Sequence, residues 1–385
     1  MKKNLTNDIL YVGVDDYKTK LFEGQFDIPN GISYNSYVII DEKVAVMDTV
    51  DKEFKYEWLN NCVDALGNRK PDYLIVSHME PDHSANIMAF VETYPETTVV
   101  LNDKALKMLT QFFGEAPKNV LLVKDLDELS LGKHTLKFVF APMVHWPEVM
   151  FTYDKYEKVL FSADAFGKFG ALDYDDPEGW DCEARRYYFG IVGKYGVQVL
   201  STFKKLEGIE VEKIFPLHGP MLLDNIKYYL DKYTVWASYE PEDKAVFIAY
   251  SSVYGNTEKA CFILKDELEK LGVEVHIADM REEDFHEAIE DAFRYDRLVL
   301  ASITYNGGIF PHMSSFIEAL AERGYKNRTI ALIENGSWAP MANKVMEGKL
   351  EGFKNITILP EKVKINGGVN EDTIAQIKAM ANALK

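Results

Sequence analysis

Short apolar runs separated by helical stretches organise roughly the first two thirds of the chain. The runs are rich in β-branched and aromatic residues, a composition typical of strands. Strands are predicted for residues 37–41, 43–49, 72–77, 97–102, 136–142, 159–164 and 212–217. The amphipathic stretch 52–66 predicts a helix between the second and third of these strands. This part of the chain is therefore expected to be a layered α/β domain.

The pattern becomes more regular after about residue 240. Apolar runs at 245–250, 273–280, 297–303 and 329–335 alternate with helical segments such as 258–271. Strands that alternate with helices in this way predict a parallel, doubly wound sheet. The polar segment 239–244 separates the two patterns, so we predict domains at 1–240 and 241–385.

Composition limits the class of protein. The chain has 385 residues, 47% hydrophobic and 27% charged, which favours two globular domains. A net charge of −18 without basic stripes argues against nucleic-acid binding. No apolar run approaches the roughly 18 residues of a membrane span, and the N-terminus lacks a signal-peptide core. Three widely spaced cysteines form neither a disulfide framework nor a Cys-x-x-Cys site. We predict a cytoplasmic protein with no nucleic-acid or membrane partner.

The segment SHMEPDHSAN, residues 77–86, concentrates side chains that can bind metals. His78, Glu80 and Asp82 alternate along the chain and His83 follows directly, just after a predicted strand. A bent loop could direct several of them into one pocket. The alternative is a polar turn whose His and Asp residues only cap a helix over 84–94.

Three later residues favour the metal site. His145, Asp164 and His218 each stand at or just beyond the end of a strand-like run. Where several strands end at the same edge of a sandwich, the residues at their ends lie close together. Together with the first segment they supply four histidines and three acids, which suits two cations better than one.

Polar loops also follow three strands of the second domain. Residues 251–258 carry hydroxyls and a glycine at a helix start, where free N–H groups and the helix dipole favour a phosphate. An ordinary helix cap is the alternative. The loops at 302–308 and 334–340 add planar Tyr305 and Trp338, which suit a flavin ring. The candidate cofactor-binding residues are Ser252, Val253, Tyr254, Gly255, Asn256, Thr257, Thr304, Tyr305, Asn306, Gly307, Asn335, Gly336, Ser337 and Trp338.

The spacing of the histidines and acids resembles the metal motif of the metallo-β-lactamase superfamily in the version carried by flavodiiron proteins. The hydrolase version has a histidine where Glu80 stands. Extra anionic oxygen ligands suit iron, whereas nitrogen-rich tetrahedral sites suit zinc. The resemblance implies that His78, Glu80 and His145 bind one iron, Asp82 and His218 bind the other, and Asp164 bridges them. It leaves His83 open between an optional iron ligand and a catalytic proton carrier.

The second half resembles flavodoxin, and its three loops match the phosphate-binding loop and the two flavin-binding loops of that family. The implied cofactor is FMN, with the first loop at the phosphate and the other two beside the isoalloxazine ring. The implied fold is an N-terminal metallo-β-lactamase-like αββα sandwich followed by a flavodoxin-like doubly wound parallel sheet.

Both resemblances together imply a flavodiiron reductase. Such an enzyme reduces dioxygen to water, or nitric oxide to nitrous oxide, with electrons relayed through FMN from an external donor such as rubredoxin or a reduced deazaflavin. The resemblance and the short linker also imply a head-to-tail homodimer, or a tetramer of such dimers. The alternatives are a dizinc hydrolase with an FMN-binding appendage and a pure electron carrier.

Overall fold

The computed structural model describes residues 3–385. The chain divides into two compact units, residues 1–234 and 235–385. A helix, Ile226–Ser238, runs across this division. The boundary after residue 240 therefore stays a prediction, and each unit is described by itself.

The first unit contains two main sheets and two short two-stranded sheets. Its strands are β1 (Lys3–Asn4), β2 (Ile9–Tyr11), β3 (Val14–Asp16), β4 (Leu21–Phe22), β5 (Phe26–Asp27), β6 (Ile32–Tyr34), β7 (Tyr37–Ile40), β8 (Val44–Met47), β9 (Tyr73–Ile75), β10 (Thr98–Leu101), β11 (Val120–Leu122), β12 (Glu128–Ser130), β13 (Thr135–Phe140), β14 (Met150–Asp154), β15 (Val159–Phe161) and β16 (Lys213–Phe215). One main sheet has the order β1-β2-β7-β8-β9-β10-β11, and the other has the order β12-β13-β14-β15-β16. The two short sheets pair β3 with β6 and β4 with β5. The seven predicted strands of this unit correspond to β7, β8, β9, β10, β13, β15 and β16, while the other nine strands had no counterpart in the prediction.

The helices of the first unit connect these strands. They are α1 (Lys55–Leu66), α2 (Pro81–Ser84), α3 (Ile87–Thr93), α4 (Asp103–Phe113), α5 (Asp181–Tyr187), α6 (Gly196–Leu206) and α7 (Ile226–Ser238). A 3₁₀ turn at Lys52–Phe54 precedes α1, and a π-helical segment at Tyr188–Val192 follows α5. The helix predicted over 84–94 is divided between α2 and α3, because the chain leaves the helical geometry at Asn86.

The core of this unit lies between the two sheets. Met47 and Ile75 of the first sheet share one buried cluster with Phe138 and Phe161 of the second. Helix α1 packs against β7 and α6 packs against β13, so helices cover the outer faces. Burial of apolar side chains between two sheets is the main stabilisation of such a sandwich. The predicted αββα architecture is confirmed.

The second unit is a parallel sheet with helices on both faces. Its strands are β17 (Asp243–Ser251), β18 (Val275–Asp279), β19 (Tyr295–Tyr305), β20 (Gly308–Ile309), β21 (Thr329–Asn335), β22 (Thr357–Ile358) and β23 (Val363–Ile365). Its helices are α8 (Asn256–Lys270), α9 (Phe285–Arg294), α10 (Pro311–Glu322), α11 (Ala342–Leu350) and α12 (Glu371–Ala383).

The strand order of this sheet is β18-β17-β19-β21-β22, with β23 also paired to β21. These pairs are parallel, and only the short β20 runs antiparallel, against β19. Leu264 of α8 and Ile377 of α12 pack in one buried cluster with Ile248 of β17, while α9, α10 and α11 pack on the strands from outside that cluster. The predicted doubly wound sheet is confirmed. Its topology brings the carboxyl ends of β17, β19 and β21 side by side.

Candidate metal centre and flavin site

The seven predicted metal-binding side chains come from loops that follow strands of both main sheets. His78 follows β9, and the short helix α2 then presents Asp82 and His83, with Glu80 at its N-cap position. The later residues lie after β13, β15 and β16, respectively: His145, Asp164 and His218. The strand ends thus bring together residues that are far apart in sequence.

The structure groups four of these residues into one donor set. Donor atoms of His78, Glu80, His145 and Asp164 lie within 4.8 Å of one another. Nε2 of His145 is 3.0 Å from Oε2 of Glu80 and 3.1 Å from Oδ2 of Asp164. Nε2 of His78 is 3.2 Å from the same Glu80 oxygen. One cation at the centre of this set would have nitrogen and oxygen ligands together.

A second donor set lies beside the first and contains Asp82, His83 and His218. Nε2 of His83 is 3.0 Å from Nε2 of His218. The two oxygens of Asp164 face different sets, since Oδ2 approaches His145 whereas Oδ1 is 3.2 Å from Nε2 of His83. A carboxylate in this position is able to bridge two cations. His83 therefore lies within the second set.

Hydrogen bonds from outside the sets fix two of the imidazoles. Nδ1 of His78 donates to Oε1 of Glu148 at 2.8 Å, and Nδ1 of His218 donates to the carbonyl oxygen of Ser33 at 2.7 Å. Each bond engages Nδ1 and directs Nε2 at the donor set, where a metal ion can bind it, as in protein metal sites. Nδ1 of His83 is buried and has no hydrogen-bond partner among residues 3–385.

Glu148 is a functional candidate that the sequence analysis missed. It is buried, and the same oxygen that accepts from His78 also accepts the backbone N–H of Met79 at 2.9 Å. Its only signal in the sequence is its place three residues after His145, in the segment HWPE. Contact with a residue 70 positions away is not encoded in that local pattern.

The electrostatics of the pocket favour bound cations. Burial lowers the pKa of His145, but hydrogen bonds to Asp164 and Glu80 outweigh burial and raise the pKa to about 9. Burial would raise the pKa of Asp164, but the imidazoles of His78 and His83 hold that pKa well below its usual value. Buried carboxylates thus draw positive charge into the pocket, and metal ions can supply it in place of the imidazole protons.

The donor groups fit metals better than a capped polar turn. Glu80 occupies the N-cap position of α2 but makes no side-chain capping bond. Both carboxylate oxygens of Asp82 are buried and accept no hydrogen bond in the described chain, and Oδ2 faces Nε2 of His218 and of His83 at 3.3 Å and 3.4 Å. A buried carboxylate without a hydrogen bond is costly unless a cation compensates it. The residues present therefore fit a pair of metal ions with mixed nitrogen and oxygen ligands.

The second unit contains a cavity of about 390 Å³ at the carboxyl ends of β17, β19 and β21. All the predicted cofactor-binding residues line it except Gly255, and it is also lined by Ile303 and Gly367, which were not predicted. Tyr254 and Trp338 are 92% and 80% exposed in the single chain, and Tyr305 is partly exposed. Planar side chains at the mouth of a cleft suit a flat aromatic ligand.

The first loop of this cavity is shaped as an anion site. Gly255 adopts a φ of 81° and is the N-cap of α8, whose first turn has N–H groups without helical partners. The hydroxyl of Ser252 is buried and has no hydrogen-bond partner among the described residues. A phosphate would satisfy both kinds of donor. The cavity therefore fits FMN.

Internal hydrogen bonds hold the other two loops in place. Nδ2 of Asn335 donates to the carbonyl oxygen of Gly367, whose N–H donates back to Oδ1 of Asn335, both at 3.1 Å. The hydroxyl of Thr304 accepts the N–H of Met341 at 2.9 Å. The sequence marks this part of the cavity lining only by two consecutive glycines at 367–368, which lie far from the three predicted loops in the chain.

Two known protein families match separate parts of the chain. The family described as "ODP family beta lactamase" matches residues 32–219, and the family described as "Flavodoxin domain" matches residues 247–358. The rubredoxin oxygen:oxidoreductase of Desulfovibrio gigas superposes with a TM-score of 0.93 at 26% identity, covering 100% of this chain and 98% of that one. The flavodiiron protein of Giardia intestinalis shares the fold, with a TM-score of 0.93 at 24% identity over 100% and 96% of the two chains.

A nitric oxide reductase of Moorella thermoacetica is 30% identical over 358 residues, which are 91% of this chain and 90% of that protein. Fold and relatives together define an oxidoreductase built from a β-lactamase-like domain and a flavodoxin domain. The chain belongs to the flavodiiron protein family. Its cofactors are FMN and a non-haem pair of irons, and the hydrolase alternative is not supported. Among residues 3–385, the structure has no helix with the length and apolar character that crossing a bilayer requires.

Proposed function

We propose that this protein reduces dioxygen to water, nitric oxide to nitrous oxide, or both, with electrons that pass through FMN. The observation that carries the proposal is the pair of donor sets that share Asp164, with the carboxylate of Glu80 in the first set. When bound, two irons supply gas binding and redox chemistry, and FMN supplies electrons singly or in pairs.

The proposed iron ligands follow the two donor sets. His78, Glu80 and His145 hold the first iron, while Asp82 and His218 hold the second. Asp164 bridges the two ions, because its oxygens face opposite sets. Three carboxylates and three imidazoles surround the two ions in this proposal, and the carboxylates keep the net charge of the centre low.

His83 acts, in this proposal, as a further ligand of the second iron. Its Nε2 already lies 3.0 Å from Nε2 of His218, a separation that two ligands of one ion can adopt. In the alternative role, a released His83 imidazole carries protons to the substrate, since its ordinary pKa lies near neutral pH. His83→Gln separates these roles: the ligand role predicts lower iron affinity, and the proton-carrier role predicts full iron content with an altered pH–rate profile.

The proposed flavin site uses the cavity in the second unit. Ser252, Asn256 and Thr257 hold the phosphate together with the first N–H groups of α8. Tyr305 and Trp338 enclose the isoalloxazine from the two neighbouring loops. These residues orient the flavin, while the proposed electron source is an external carrier, either a rubredoxin or a reduced deazaflavin. The name of the Desulfovibrio gigas relative supports the first of these carriers for that protein.

Turnover with product analysis tests the proposed reaction. Protein containing iron and FMN is photoreduced and mixed with dioxygen or nitric oxide under otherwise anaerobic conditions. Dioxygen should consume four electrons and four protons to give two waters, so added catalase should recover no oxygen. Two nitric oxides should consume two electrons and two protons to give one nitrous oxide and one water. Release of hydrogen peroxide alone, with no nitrous oxide, would show a flavin oxidase and refute the proposal.

The proposed assembly is a head-to-tail homodimer, or a tetramer of such dimers, in which the FMN of one chain serves the irons of the other. The aromatic rings of Tyr254 and Trp338 are exposed beside the flavin cavity in the single chain. Exposed apolar rings of this size support the proposal that a second chain covers them. A two-fold interface would place two such surfaces in equivalent contacts.

Complementation tests this assembly. One variant lacks metal ligands (His78→Asn with His145→Asn), and the other lacks cradle hydroxyls (Ser252→Ala with Thr257→Ala). After reversible dissociation and mixing, heterodimers should regain about one working site of two, because each pairs one intact metal centre with one intact flavin. Mixtures as inactive as the parents would place electron transfer within a single chain.

A further inference from the structure

A third group of metal-binding side chains lies away from the proposed diiron centre. It consists of Asp8, His134 and Glu157, whose donor atoms lie within 4.8 Å of one another. His134 immediately precedes β13 and Glu157 precedes β15, whereas the proposed iron ligands follow the other ends of these strands. The group therefore occupies the opposite edge of the second sheet.

His134 is placed as a ligand rather than as a packing residue. Its side chain is fully buried, and Nδ1 donates to Oδ2 of Asp154 at 2.8 Å. Asp154 is also fully buried and accepts the N–H of Tyr156 at 3.2 Å, so it is held rigidly by the turn after β14. Metal-binding histidines are commonly oriented by a carboxylate that accepts a hydrogen bond from the ring nitrogen that does not bind the metal. It leaves Nε2 directed at the other two members of the group.

The two carboxylates have oxygens available for a cation. Nε2 of His134 and Nζ of Lys133 both approach Oδ2 of Asp8, at 3.4 Å and 2.5 Å, which leaves its Oδ1 open. Oε1 of Glu157 accepts the hydroxyl of Thr6 at 2.7 Å, while its Oε2 has only Lys213 at 4.0 Å. Asp8 and Glu157 also line a cavity of about 790 Å³, which gives solvent and ions access to the group.

The charge of the surroundings favours a divalent ion. The charged side chains that contact this group or line its cavity are the carboxylates of Asp8, Asp41, Asp154, Glu157 and Glu212 and the ammonium groups of Lys133, Lys158 and Lys213. Five negative and three positive charges leave a balance of −2 with a neutral imidazole. A doubly charged cation neutralises this balance, whereas protonation of His134 neutralises only half of it.

We propose that His134, Asp8 and Glu157 form a third metal site, which binds a divalent transition ion such as zinc. One imidazole nitrogen with two carboxylate oxygens suits a borderline cation, and water completes its coordination through the cavity. The ion ties the segment before β2 to the turns that precede β13 and β15. Its role is structural, and it is independent of the reaction proposed above.

Zinc titration of protein that already contains iron and FMN tests this site. Calorimetry and metal analysis should find one further zinc per chain with the iron content unchanged, and His134→Gln should abolish that binding. His276→Gln is the matched control, because His276 also faces a glutamate, Glu274 at 2.9 Å, but on the exposed surface of the other unit. The control variant should bind zinc as the parent does.

Two further variants keep the test informative if His134→Gln folds poorly. Glu157→Gln removes a charged ligand at the cavity edge and should lower zinc affinity strongly. Asp154→Asn removes the group behind the imidazole and should lower zinc affinity about 10–100-fold. The proposal is overturned if the parent binds no zinc beyond the iron sites, or if Glu157→Gln binds zinc as tightly as the parent. Either result would assign the group to an ion-paired, protonated His134.

Discussion

The metal centre and the flavin cavity are built in different ways. The metal centre is buried, and its side chains come from separate loops whose ring orientations depend on distant partners such as Glu148 and Ser33. The flavin cavity is open, and nearly all of its lining comes from three contiguous loops at adjacent strand ends. The first site depends on tertiary contacts, whereas the second depends on local loop conformation and one helix terminus.

This difference predicts how the two sites respond to substitution. A buried charged site fails when any partner of a charge is removed, because the remaining charge is left without compensation. An open site loses affinity in increments, because water replaces each missing hydrogen bond. Variants that affect one cofactor and spare the other can therefore distinguish the two kinds of site.

The largest effect is expected from Glu80→His. The substitution adds a nitrogen ligand and removes a negative charge, so the first set should favour zinc over iron. Reductase activity should fall by at least about 100-fold while FMN is retained. Metal analysis and turnover measure both outcomes, and exposed Glu92→His is the control. A variant with parental iron content and parental turnover would contradict the proposed role of Glu80.

Removal of two cradle hydroxyls should mainly affect the flavin. Ser252→Ala with Thr257→Ala removes two donors to a charged phosphate, each contributing about 1.5–3 kcal/mol. FMN should then separate from the protein on gel filtration, while iron stays bound. Exposed Ser315→Ala is the control. If flavin content is unchanged in the double variant, the phosphate binds elsewhere.

A smaller loss of iron affinity is expected from Glu148→Gln. The substitution weakens the hydrogen bond that Nδ1 of His78 makes with residue 148, and it replaces none of the proposed iron ligands. Iron affinity should fall about 10–100-fold, as for other residues that orient metal-binding imidazoles. FMN affinity should not change. Competition with a chelator measures the iron affinity. Equal chelator resistance in parent and variant would show that Glu148 does not support the centre.

The smallest effect is expected from Gly255→Ala. The added Cβ meets no atom closer than 3.8 Å, so its cost is the left-handed backbone at a φ of 81°, about 1–2 kcal/mol. The free energy of unfolding should fall by the same amount, which thermal denaturation measures. Gly348→Ala, in the interior of α11 with open space around it, should instead stabilise the protein by about 0.5–1 kcal/mol. Equal effects of both changes would show that backbone strain at Gly255 is unimportant.

The same contrast explains what could be predicted from the sequence. The flavin loops are local patterns after apolar runs, and both the fold and the lining of the cavity were predicted from them, apart from Ile303 and Gly367. The seven metal-binding candidates were recognised from strand ends and from a family resemblance. Their grouping around Asp164, with His83 in the second set, depends on three-dimensional contacts.

Residues that act through long-range contacts were not predictable. Glu148 and Ser33 contact histidines 70 and 185 positions away, and no local pattern marks them. The division of the predicted helix 84–94 also escaped prediction, since Asn86 is anchored by side-chain bonds to Val50 and Asp51 and not by a cap. Periodicity records which residues are buried, but it does not record which partner each one meets.

The metal and flavin content of anaerobically purified protein tests the central claim most directly. The claim is that one chain holds a pair of irons in its first unit and FMN in its second. Elemental analysis with an absorption spectrum should find about two irons and one yellow flavin per chain, because the first unit offers two mixed nitrogen and oxygen donor sets. Zinc in place of iron, together with the flavin, would contradict the account and restore the hydrolase alternative. Flavin with no metal in either donor set would leave only an electron carrier.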